Sequence, residues 1–247
     1  VHGWMMYPPD FDSSKKYPMI LAIHGGPHGD YGNNFSFTFQ EMAANGNIIL
    51  YTNPRGSTSY GAAFAQAIHN QYPGPLDYQD LMAGVDFAIA KGNVDPNRLF
   101  IEGCSGGGIL TTWVIGQTNR FKAAASLCPV TTWISFAGQA DVSGWVYTMF
   151  KKPFWEDPTD WLEHSPLMHV GNVSTPTLMM SGELDMRTPT GEAESYYQAL
   201  LRRGVPTKII FFQNEYHGTS SKPSNMLRTQ KYLKKWFDQY DNVKPIS

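Results

Sequence analysis

The sequence predicts an α/β fold, a mostly parallel sheet with helices on both faces, and three observations carry that reading. Short apolar runs alternate with segments of helical period. Between most runs lies enough chain for a helical crossover, which parallel neighbours need. One run passes directly into a helix through Gly103-Cys104-Ser105-Gly106-Gly107.

In chain order, Met19–His24 (MILAIH) ends in Gly25-Gly26-Pro27 and reads as a buried strand entering a tight loop. Asn47–Thr52 (NIILYT) is the second strand, closed by Asn53-Pro54-Arg55-Gly56. Asp77–Ala90 places Leu81, Val85 and Ile89 on one helical face and is followed by Gly92. Arg98–Glu102 reads as a strand and Gly107–Thr118 as the helix after it. Ala123–Leu127, Thr177–Ser181 and Thr207–Phe212 are further strands, with helices over Glu192–Arg203 and Asn225–Tyr240 around the last. Residues 131–172 fit the alternation poorly. They hold Trp133, Phe136, Trp145, Phe150, Phe154, Trp155 and Trp161, broken by Pro153, Pro158 and Pro166, and are expected as an irregular aromatic-rich insertion beside the functional site.

At 247 residues with a 42% hydrophobic fraction, the chain is expected to be a single domain, 1–247, with a large core. The net charge of −2 and the lack of a Lys/Arg run argue against nucleic acid or an anionic membrane as partner. No apolar stretch is long enough to span a bilayer, and no N-terminal segment has the pattern of a signal peptide. Cys104 and Cys128 each adjoin an apolar run and read as buried thiols, which suits a reducing compartment. Cytoplasmic is therefore the default location, with secretion open if an N-terminal segment is missing. Oligomeric state is not encoded legibly.

The G-x-S-x-G turn is where an acyl-transfer nucleophile belongs. A serine on a sharp strand-to-helix turn is held in a strained backbone with its hydroxyl exposed, and the helix N-terminus adds partial positive charge where an oxyanion forms. The flanking glycines let strand and helix approach. Dinucleotide binding is the competing reading of this glycine cluster, but the G-x-G-x-x-G spacing is absent. A serine hydroxyl needs a histidine to take its proton, and the histidine needs a carboxylate to fix its tautomer. In the α/β-hydrolase fold these arrive in the order Ser, then Asp or Glu, then His.

Of the seven histidines, His217 alone lies beyond all the late strands, in Glu215-Tyr216-His217-Gly218-Thr219. The acid belongs after Thr177–Ser181, where Glu183 and Asp185 both qualify. The oxyanion hole calls for the backbone N–H of Gly106 and a second donor from the His24-Gly25-Gly26-Pro27-His28 loop, for which Gly26 is the candidate. His24 and His28 are four apart, but Gly25-Gly26-Pro27 forbids the helix that would pair them on one metal. No metal and no cofactor are expected. Trp133, Trp145 and Trp155 are the candidates for a substrate pocket wall.

With these residues in hand, the sequence resembles the catalytic domain of the prolyl oligopeptidase family of serine peptidases, most closely its acylaminoacyl-peptidase-like bacterial members. The matching segments are His24-Gly-Gly-Pro-His28, Asn53-Pro-Arg-Gly-Ser57, Gly103-Cys-Ser-Gly-Gly107, Gly182-Glu-Leu-Asp185 with Arg187-Thr-Pro189, and Tyr216-His217-Gly218. The resemblance implies an α/β-hydrolase domain that cleaves peptide or ester acyl groups without a cofactor, and it favours Asp185 over Glu183 as the acid. Ser105, Asp185 and His217 are then the expected triad.

Three departures stand out. The β-propeller usual in the family is absent from this chain, and Val1-His2-Gly3-Trp4 looks like the interior of an early family strand, so a truncated N-terminus is expected. The nucleophile motif has Cys104 and Gly106 where many relatives carry Trp and Tyr. The alternatives to a peptidase are a carboxylesterase acting on small or aryl esters, which an ungated site would favour, and an inactive hydrolase-fold binding domain.

Overall fold

The computed structural model describes residues 1–241. From the N-terminus, β1 (His2–Met6) and β2 (Tyr17–Ile23) precede α1 (Phe37–Ala44) and β3 (Ile48–Asn53). A short α2 (Ala62–Ala65) and the longer α3 (Pro75–Ala90) lead to β4 (Val94–Cys104), α4 (Gly106–Ile115) and β5 (Ala123–Leu127). Three short helices follow, α5 (Trp133–Gln139), α6 (Ser143–Val146) and α7 (Thr159–Glu163). The chain then runs through β6 (Thr177–Gly182), α8 (Thr190–Arg202), β7 (Thr207–Phe212) and α9 (Pro223–Asp241).

The strands form one seven-stranded sheet in the order β1-β3-β2-β4-β5-β6-β7. Every neighbouring pair is parallel except β1 with β3. Alternate residues of each strand feed two cores. Leu21, Leu50, Ile101 and Met179 pack against α3, α4 and α8, while Ile20, Ile49, Phe100 and Met180 pack against α1 and α9. Helices therefore cover both faces, and the central strands are apolar on both sides, as a doubly covered parallel sheet requires. Trp236 of α9 fixes its face by donating its indole N–H to Ala124 O at 3.1 Å.

Local sequence explains the helix starts. α3 begins at Pro75, whose missing N–H costs nothing in the first turn, and Asp77 accepts from the Gly74 N–H at 2.9 Å. That places its start two residues ahead of the predicted Asp77. α1 was not predicted. It is capped by Ser36 Oγ, which accepts from the Phe39 N–H at 3.3 Å.

The cysteines require a correction. Cys104 and Cys128, read as separate thiols, are joined in a disulfide with their Cα atoms 5.5 Å apart. The cause is sheet register: β4 and β5 are parallel neighbours with Cys104 opposite Leu127, so residues 24 apart in sequence meet at the same rim. The thiol-based ground for a reducing compartment goes with it. Among the described residues no helix is long and apolar enough to cross a membrane.

Residues 131–172, expected as an irregular aromatic-rich insertion, contain short helical pieces. They form α5, α6, α7 and a 3₁₀ segment, Pro166–Asn172, packed around the fully buried Trp133 and Trp161.

Candidate active site

Ser105 occupies the link between β4 and α4 with φ +60 and ψ −121, a strained conformation for a side-chain-bearing residue. Its N–H donates to Leu127 O at 2.9 Å, which ties the turn to β5. Close backbone contact dictates the glycines around it. A Cβ on Gly103 would lie 2.6 Å from the carbonyl carbon of Gly107, and one on Gly106 would lie 2.5 Å from Gly26 N. The second contact also shows that the loop after β2 sits directly over the residue following Ser105.

Asp185 lies three residues past β6 and its side chain is wholly inaccessible. Its Oδ1 accepts from the backbone N–H groups of Arg187 and Thr188, each at 2.9 Å, and its Oδ2 accepts from the Thr188 hydroxyl at 3.0 Å. His217 sits in the loop after β7, with Nδ1 2.9 Å from Asp185 Oδ2 and 3.2 Å from Oδ1. Glu183 is exposed and makes no contact with that ring, so geometry pairs Asp185, not Glu183, with His217. No hydrogen bond joins the Ser105 hydroxyl to His217, whose Nδ1 partners are Asp185 and Thr188. Both side chains line one cavity of about 310 Å³, and a nucleophile–base contact of this kind commonly closes only once substrate is bound.

Gly26, Pro27 and His28 line the cavity. Ile109, Val130, Trp133, Phe136, Val142 and Trp145 give it an apolar wall. Trp155 is a correction: it lies outside the cavity, 67% exposed, tilted against Tyr147 and edge-on to Phe154. Trp133 and Trp161 fill the interior of its segment, and Trp155 is displaced to the surface.

The sequence reading also left Arg187 and Thr188 without roles, though both line the cavity. Thr188 had a readable signal, because a threonine three residues beyond an acid on a tight loop can return its hydroxyl to the carboxylate. Arg187 forms an ion pair with Asp141, Nε to Oδ1 at 2.6 Å, joining the aromatic segment to the acid loop.

Burial holds the His24 imidazole below its ordinary value. Its Nε2 meets Ser57 Oγ at 2.9 Å, and His28 Nδ1 meets Gly56 O at 2.9 Å. Both rings thus brace the loop carrying Gly26. Among the described residues, Cys128 Sγ, the Asp185 carboxylate and the His217 ring lie within 4.8 Å of one another, a grouping of metal-ligand types. The sulfur is committed to the disulfide and the carboxylate to His217.

A mostly parallel sheet that presents a strained serine, a carboxylate-paired histidine and a glycine-rich loop at one rim defines an α/β-hydrolase domain. The chain belongs to the prolyl oligopeptidase family, whose sequence profile (peptidase S9) matches residues 33–243. It is 41% identical over 245 residues to the uncharacterized peptidase YuxL of Bacillus subtilis, covering 97% of this chain and 37% of that protein. It is 33% identical over 238 residues to the acylamino-acid-releasing enzyme of Arabidopsis thaliana, covering 93% of this chain and 31% of that one. The fold superposes on an acylaminoacyl peptidase solved in complex with Z-Gly-Gly-Phe-chloromethyl ketone, with a TM-score of 0.91 and 29% identity over 99% of this chain and 40% of that chain. The chain thus spans about a third of the length of the curated relatives it matches.

Proposed function

We propose that this chain is a serine peptidase unit that cleaves the bond following an apolar, preferentially aromatic, acyl residue. The observation that carries the proposal is one cavity lined by Ser105 and His217 and walled by Val130, Trp133, Phe136, Val142 and Trp145. Ser105 Oγ attacks the scissile carbonyl as His217 takes its proton, while Asp185 holds the ring through Nδ1. The N–H groups of Gly106 and Gly26 are assigned to the developing oxyanion, where one such donor contributes about 3–4 kcal/mol. His217 then protonates the leaving amine. A water enters, gives its proton to His217, and releases the acyl group from Ser105.

The wall is apolar, and Arg187, which also lines the cavity, is engaged by Asp141, which supports an aromatic or large aliphatic residue there. The ligand of the related acylaminoacyl peptidase, with Phe before its chloromethyl ketone, points the same way. Fluorophosphonate labelling followed by peptide mass mapping is expected to modify Ser105. N-acetyl-Phe p-nitroanilide is expected to be cleaved at least tenfold more efficiently than its Asp counterpart. Cleavage of the matched p-nitrophenyl ester with no turnover of the anilide would replace the peptidase reading with a carboxylesterase.

A further inference from the structure

We propose that the Cys104–Cys128 disulfide is a positioning element of the catalytic site, and that its reduction by a dithiol lowers turnover; the proposal rests on the triad reading above. The bond lies beside all three corners of the triad. Cys104 immediately precedes Ser105, so anything that moves its Cα moves the strained turn at φ +60. Cys128 stands at the end of β5, and its N–H donates to Met180 O at 2.7 Å, on the strand that leads to Asp185. Its Sγ lies within 4.8 Å of both the Asp185 carboxylate and the His217 ring.

Sterics give reduction its direction. Two unbonded sulfurs need about 3.5–4 Å between them, further than any covalent bond allows. Cys128 is fully inaccessible and is hemmed in by the core beneath α9. With Cys128 so confined, the parting sulfurs press on what surrounds them: Cys104 on the turn that holds Ser105, and Cys128 on His217 and Asp185. A displacement of about 1 Å between reacting groups can cost on the order of 10²-fold in rate.

The chemistry balances with dithiothreitol as reductant. A reagent thiolate attacks Sγ of Cys104, the less buried of the two residues, and expels Cys128 as a thiolate. The second reagent sulfur then closes on the first and expels Cys104. One protein disulfide is exchanged for one reagent disulfide, two electrons pass to the protein, and both cysteines finish protonated.

The test is to reduce the folded chain under nitrogen, count thiols, titrate competent sites with a fluorophosphonate, and measure kcat and KM on N-acetyl-Phe p-nitroanilide. Appearance of two thiols should lower kcat per titrated site by tenfold or more, leave KM within threefold, and be reversed by reoxidation with diamide. The Cys104→Ala/Cys128→Ala double variant should lose severalfold in kcat per titrated site and show no response to dithiothreitol. Full reduction with kcat per site within twofold of the oxidised chain would overturn the proposal. So would a loss of titratable sites at unchanged kcat per site, which marks unfolding alone. If no thiols appear under reductant, a double variant with wild-type kcat per site overturns it instead. Activity that persists in Ser105→Ala would sink the triad reading itself, which separates the two failures.

Discussion

The nucleophile turn and the aromatic segment 131–172 both line one cavity and are held in place by different physics. The turn is fixed by backbone: strand pairing, the Ser105 N–H bond to Leu127 O, and glycines that leave no room for a Cβ. The aromatic segment is fixed by polar side-chain anchors under an apolar surface. Glu192 of α8 accepts from the N–H groups of Thr131 and Thr132, each at 2.8 Å. Ser165 Oγ accepts from the Trp133 N–H at 3.0 Å, and the Trp133 indole N–H donates to His164 O at 2.8 Å. His164 Nδ1 in turn meets Pro73 O at 2.7 Å. Backbone-defined geometry leaves the chemistry no tolerance, whereas side-chain anchors can be altered one at a time. Changes at the turn should therefore act on kcat, and changes in the segment on substrate choice and stability.

The sharpest break of that comparison is Ser105→Ala, expected to lower kcat by roughly 10⁴–10⁶ with little change in KM. A loss under tenfold would remove the turn from the chemistry.

Next in size is the cavity wall. Trp145→Ala should reduce kcat/KM for the Phe anilide about tenfold, of the order of one aromatic contact, while the Ala anilide changes far less. Trp155→Ala, outside the cavity and exposed, should leave both within twofold. Equal effects of the two variants would erase the proposed wall.

Glu192→Ala takes the shared acceptor from two backbone N–H groups and should cost about 2–3 kcal/mol in stability, with a rise in KM for aromatic substrates, measurable by denaturant unfolding and initial rates. A stability change with no shift in KM would show that this anchor does not shape the wall.

The smallest effect on rate belongs to Glu102, buried on β4 in the core behind the site. Burial pushes its carboxyl up to about 7, from 4.5. An acid raised in the folded state binds its proton more tightly there than in the unfolded chain. Stability from this group is therefore fully present below about pH 4.5 and falls as pH rises through about 7. Glu102→Gln should remove that slope and raise stability at pH 8 by up to about 3 kcal/mol, with kcat near wild type. An unchanged slope would mean that Glu102 is not the group that titrates.

Much of the fold and the core of the candidate site were legible because they depend on residue type at fixed spacing. G-x-S-x-G between strand and helix, a carboxylate after β6 and a histidine after β7 leave few alternatives. The choice between Glu183 and Asp185 stayed open in the residues themselves, because both occupy one four-residue loop. Three-dimensional packing separates them, turning one to solvent and burying the other under four polar contacts. Pairing across the sheet was invisible for a different reason. Cys104 and Cys128 become neighbours only through β4–β5 register, which no local pattern encodes. Trp155 shows the same limit from the other side: composition marked an aromatic segment, but which rings face the cavity depends on the turns between three short helices.

The most direct test of the triad is whether its members act as one unit. With kcat measured for Ser105→Ala, His217→Ala and the double variant, a shared mechanism makes the double variant about as slow as Ser105→Ala alone. A double variant slower by the product of the two single losses would show that the hydroxyl and the imidazole act independently, and would contradict the assignment.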